Sequence, residues 1–114
     1  MKLTRGCLVS LRDDAHFLAK PRPAVVVQCT DCIELRDSVT VCLPTSETEP
    51  PMPMRPLLKP SVSNKLQKPS CVQTDKVMTV PKAIISEPWG RVSPSDLRNI
   101  SSALAFWFGI PDPA

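Results

Sequence analysis

A chain of 114 residues and 12.5 kDa has room for one domain, residues 1 to 114, around one modest core. Hydrophobic residues make up 42% but aromatic residues only 4%, without a tyrosine, which argues against nucleic-acid recognition by rows of stacked bases. The formal charge of +3 is small yet uneven: Arg55, Lys59, Lys65, Lys68, Lys76 and Lys82 face Asp75 alone, a stretch that reads either as a surface for an anionic partner or as a solvated basic face.

In chain order, Gly6 permits a turn and Cys7 to Leu11 reads as a first strand. A polar loop, Arg12 to Ala19, holds Asp13, Asp14 and His16, the only histidine. Next comes Lys20 to Val27, K-P-R-P-A-V-V-V. Pro21 and Pro23 fix their own φ and push Lys20 and Arg22 towards extended backbone, so the Arg22 guanidinium is held at the mouth of a strand. That strand, Ala24 to Cys29, opens without polar alternation, which predicts burial on both faces or inside a small barrel.

Thr30 to Asp37 has little periodicity and reads as a loop or short helical turn, whereas Ser38 to Leu43 alternates as a strand. From Pro44 to Pro56 the density of prolines predicts a stiff, irregular segment. Leu57-Leu58 is a short strand candidate before a basic loop, Lys59 to Lys68. Ser70 to Gln73 and Lys76 to Val80 read as a hairpin-like pair around Thr74-Asp75, weakly extended by Ile84-Ile85. One helix is well marked: Ser93 as N-cap, Pro94 at the first position, Asp96 three after the cap, and Gly109 as the stop. Its apolar stripe is Leu97, Ile100, Leu104, Trp107 and Phe108. Short strands followed by one amphipathic helix make the chain mainly β (α+β), a small barrel or curled sheet with the helix laid against it.

Five cysteines, an odd number set mostly in apolar or β-like runs, point to reduced thiols. The run from Cys7 to Leu11 is too short for a signal sequence, and no segment approaches the ~20 apolar residues of a membrane span, so a cytoplasmic location is expected. Cys29-Thr30-Asp31-Cys32 has the spacing of half a zinc knuckle or a redox pair. Cys42, Cys71 and His16 are scattered singly, and Glu34 to Ser38 is a poor helix start, so the reading is one buried strand cysteine and one loop cysteine, with no metal and no cofactor. Trp89, ahead of Gly90, reads as packing at the barrel bottom or a dimer seam rather than stacking on a base.

Five pieces in order resemble the MazF/PemK family of toxin ribonucleases: Leu3-Thr4-Arg5-Gly6, the R-P-A-V-V-V of Arg22 to Val27, Pro44-Thr45-Ser46 after a strand, S-C-V-Q-T-D-K-V-M-T from Ser70 to Thr79, and Gly90 to Ser93 leading into the helix. The resemblance implies an SH3-like β-barrel homodimer that cuts RNA without metal and is neutralised by a cognate antitoxin peptide lying across the dimer. Under it, Arg22 matches the catalytic arginine and Thr45 the catalytic threonine, with Ser46 beside it; Ser46 and the basic residues Lys20, Arg55 and Lys76 are the expected RNA contacts. The chemistry is coherent, because the nucleophile in RNA is its own 2′-hydroxyl. The protein need only position the phosphate and stabilise its growing charge, which an arginine does with a fork of hydrogen bonds and a charge it cannot lose.

The chain departs from the family in two places. The loop before the arginine is short and carries Ala15-His16-Phe17 where the family has Gly-Ser-Glu, and Lys76 and Met78 stand where Gln and Arg are expected. His16 is therefore the candidate for proton transfer, since its unperturbed pKa lies near ~6.5. Two other functions share the same frame: a CcdB-like toxin that binds gyrase, and an antitoxin-binding homologue with weakened catalysis.

Overall fold

The computed structural model describes residues 2–12 and 21–111. Eight strands form two antiparallel sheets. The larger has the order β7-β3-β2-β1-β8 and the smaller β4-β6-β5, with β1 Cys7–Leu11, β2 Arg22–Val26, β3 Ser38–Cys42, β4 Pro44–Thr45, β5 Leu57–Leu58, β6 Ser70–Val72, β7 Met78–Pro81 and β8 Gly90–Arg91. The helix α1, Pro94–Phe108, closes the chain.

The unbroken apolar run of β2 is explained by its central place in the larger sheet. Ala24 and Val26 face a cluster with Cys7, Val9, Val39 and Val41 on one side. Val25 faces Leu8, Cys42, Leu58, Val72 and Ile100 on the other, where the smaller sheet and α1 supply the cover. The expected mainly β architecture with a C-terminal helix is what forms, and among the described residues its strands lie in two sheets.

The helix starts as its sequence dictates: the Ser93 hydroxyl accepts from the Asp96 N–H at 3.1 Å, Pro94 opens the first turn, and Gly109 ends it at φ +70°. Ile100 and Ala103 are its buried residues, while Trp107 and Phe108, expected in the core stripe, are 46% and 57% exposed.

The expected hairpin does not form. β6 is the middle strand of the smaller sheet and β7 an edge of the larger one, so the 3-10 turn Thr74–Lys76 carries the chain between sheets instead of reversing it within one. Packing decides this: Val72 joins the inter-sheet core, whereas Val80 pairs with Val39. The fully buried Thr74 hydroxyl donates to the Met54 carbonyl, tying that turn to the proline-rich segment.

Candidate active site

Arg22 is the first residue of β2, exposed, with Leu11 of β1 as its cross-strand neighbour. β2 pairs with β3 at Val25↔Cys42 and Val26↔Val41. The ladder stops at Val25↔Cys42; after Leu43 the chain enters β4, which joins the smaller sheet while remaining in contact with β2. Two contacting strands thus carry Arg22, at the start of β2, and Thr45, at the end of β4, which stand far apart in sequence. On its other side Thr45 pairs with Cys71 of β6. The Thr45 Oγ1 accepts from the Glu47 N–H at 3.2 Å, which fixes the oxygen and leaves its proton free for donation. Ser46 follows, exposed.

Pro21, Pro23, Pro44 and Ser46 alternate with Arg22 and Thr45, and they line a groove of about 560 Å³ between the two sheets. Because side chains alternate along a strand, Arg22 and Thr45 project from the other face of the same strand ends. Trp89, Lys65 and Lys68 form the far wall of the groove. The Trp89 Nε1–H donates to the Ser10 Oγ at 2.9 Å, and the ring packs partly on the inter-sheet core. Trp89 thus does pack at the end of the inter-sheet space, but it also borders open space there, which its position before a glycine did not reveal.

Arg55, expected among the RNA-binding cations, is a correction. Its Nε and Nη2 donate to the two carboxylate oxygens of Asp75 at 2.9 and 2.8 Å, and both side chains are only 16% exposed. A guanidinium spent on a bidentate partner is structural. Hydrogen bonds from Arg55 hold the Asp75 carboxyl below its ordinary range. Lys76 is exposed in the turn joining the sheets, and Gln73 just before it bonds to the Leu43 carbonyl at the β3–β4 link. His16 and Lys20 lie outside the described residues.

Cys29 is a second correction: β2 ends at Val26, and Cys29 is exposed, as is Cys32. The pair brackets the start of the 3-10 helix Thr30–Leu35, with the Cys32 N–H donating to the Cys29 carbonyl at 2.9 Å. A hydrogen bond with the Cys29 side chain pushes the Cys32 thiol up. Burial pushes the Cys42 thiol up to about 12, so that group stays protonated. Among the described residues no group of three or more His, Cys, Asp or Glu is placed to hold a metal ion, and no helix is long and apolar enough to cross a membrane.

Two small antiparallel sheets and one C-terminal helix, with Arg22 and Thr45 at the ends of two contacting strands, are the frame of this chain. A family model described as PemK-like, MazF-like toxin of type II toxin-antitoxin system matches residues 7–108. Over 109 residues, 95% of this chain and 98% of the relative, the sequence is 30% identical to the probable endoribonuclease MazF of Mycolicibacterium smegmatis. The chain belongs to the PemK/MazF family of type II toxin-antitoxin toxins.

Solved structures share the fold. An endoribonuclease in complex with its cognate antitoxin, from a mycobacterial species, superposes with a TM-score of 0.78 at 22% identity, covering 97% of both chains. A MazE-MazF structure from Deinococcus radiodurans gives 0.77 at 18% identity, covering 97% of this chain and 99% of that one.

Proposed function

We propose that the chain is the endoribonuclease of a toxin-antitoxin pair, one domain acting in the cytoplasm as a homodimer, which cuts RNA through the RNA's own 2′-hydroxyl and is silenced by a cognate antitoxin. The observation that supports the reading is the contact between β2, which begins at Arg22, and β4, which ends at Thr45. With a phosphate between them, Arg22 donates two parallel hydrogen bonds to the non-bridging oxygens and Thr45 donates one more. As the 2′-oxygen bonds to phosphorus, the charge on those oxygens grows and both contacts strengthen, so they favour the transition state over the ground state. The 5′-oxygen leaves with a proton, giving a 2′,3′-cyclic phosphate and a 5′-hydroxyl end.

Arg22 supplies the positive charge that a metal ion would otherwise bring, so the step needs none. Lys20, Ser46 and Lys76 serve as flanking phosphate contacts, and His16, seven residues before Pro23, as the proton carrier. The relatives named above, an endoribonuclease among them, support the activity, and the antitoxin complex of one structural neighbour supports the partner.

The test is cleavage of mixed single-stranded RNA by purified protein in excess EDTA. RNA is expected to be cut to cyclic-phosphate and 5′-hydroxyl ends while DNA of the same sequence, lacking the 2′-hydroxyl, stays intact. RNA left whole, or activity lost to the chelator and restored by zinc or magnesium, contradicts the reading.

A further inference from the structure

We infer that the groove between the sheets is a nucleotide subsite, in which Trp89 takes the face of an RNA base and Lys65 the phosphate beside it. The inference rests on the nuclease reading above but uses residues outside the Arg22–Thr45 pair. Its walls have the right chemistry: Pro23, Pro44 and Trp89 offer flat apolar surface, Ser46 and Gln67 offer donors and acceptors at the level of a base edge, and Lys65 and Lys68 stand at the rim. About 560 Å³ falls in the usual range for small-molecule sites. The hydrogen bond to Ser10 holds the indole in one orientation, so no side-chain ordering remains for the moment of binding.

The loop carrying Lys65 is built with unusual care. The buried Asn64 side chain accepts from the N–H groups of Ser61 and Leu66, both at 3.0 Å, and donates to the Lys59 carbonyl at 2.9 Å. Gly90 lies directly beneath, where a Cβ would come within 2.9 Å of the Asn64 carbonyl oxygen. The Arg91 N–H bonds to the Ser63 carbonyl at 2.9 Å, closing the loop onto β8. Lys65 itself sits at φ +56°, the one left-handed non-glycine residue among those described. Glycine is the residue such a backbone favours, and a lysine there is retained against its conformational preference. Strain of this kind at the rim of a basic groove points to a side chain kept for what it binds. Lys65 and Trp89 also border a second hollow of about 330 Å³, so the charge and the ring lie at a saddle that a strand of RNA can cross.

The experiment titrates a randomised 2′-O-methyl RNA, which cannot be cut, into a Trp107→Phe protein, so that emission reports Trp89. Quenching of Trp89 is expected on binding. Lys65→Gly is the decisive variant, because it relieves the backbone while removing the charge. It should unfold at a higher temperature, yet bind the RNA roughly 10-fold more weakly, with the slope of log affinity against log salt reduced by about 0.7. Lys65→Arg should restore the slope, and Trp89→Leu should lose about 10-fold in affinity with the salt slope unchanged. Unquenched Trp89, or equal affinity and slope in Lys65→Gly, overturns the proposal. So does a Lys65→Gly protein that binds RNA normally but its antitoxin poorly, since the groove would then belong to the protein partner. None of these readouts requires cleavage, so an inactive nuclease and an unused groove are told apart.

Discussion

At the scale of single residues, the proposed site depends on two side chains at strand ends. Arg22 is exposed and contributes little to folding, so Arg22→Ala should leave thermal stability within ~1 kcal/mol of wild type. Its loss from a charged transition state costs ~3 to 4 kcal/mol, a fall of at least 100-fold in cleavage rate. Arg22→Lys should recover little of this, because a point charge cannot fork across two oxygens. Paired melting curves and single-turnover rates check both, and near wild-type turnover in either variant would move the site elsewhere. The place of Arg22 at the start of a strand was legible in the sequence because two prolines fix its backbone locally. The role of Arg55 was not, because counting charges along the chain cannot show that Asp75, twenty residues on, takes the guanidinium. Lys65 was hidden for a similar reason, since its left-handed backbone is imposed by Asn64 and Gly90.

At the scale of elements, the proline-rich segment from Pro44 to Pro56, expected to be irregular throughout, opens with the two-residue strand β4, and the remainder is pinned without regular structure. Arg55 holds Asp75, the Thr74 hydroxyl holds the Met54 carbonyl, and the Val72 N–H donates to the Pro56 carbonyl at 2.9 Å. Asp75→Asn should therefore destabilise the fold by about 2 kcal/mol, the usual worth of hydrogen bonds to a charged group. Since the folded-state pKa of Asp75 is lowered, this stabilisation is present above the unfolded-state value of ~3.9 and is lost as pH falls through the folded value. Denaturation of the two proteins should differ at pH 6 and converge towards pH 2, and a gap independent of pH would exclude the carboxylate as its origin. The helix was readable from its caps because capping is local. The supposed hairpin misled because two adjacent strand-like runs carry no signal of which sheet each will join, and that choice is made by Val39 and Leu58, distant in sequence.

For the whole molecule, the unevenly spread positive charge gives RNA and an acidic antitoxin segment a common attraction. If the antitoxin covers the strand ends bearing Arg22 and Thr45, saturating antitoxin should abolish RNA binding, and added salt should weaken both complexes. A stable assembly of toxin, antitoxin and RNA in gel filtration would show that the two occupy separate surfaces. The family and its mainly β plan with one C-terminal helix were legible because the ordered motifs span nearly the whole chain, whereas the division into two sheets and the open groove between them are properties of how the strands part. The pairing of Thr45 with Cys71 has one further consequence, for which changes of length the chain can survive in evolution. A residue inserted or deleted between Cys42 and Thr45 would turn Thr45 to the opposite face and exchange it with a proline or serine, silencing the proposed site with the core intact. From Glu47 to Met52 no strand register is at stake, and there homologues are free to lengthen or shorten.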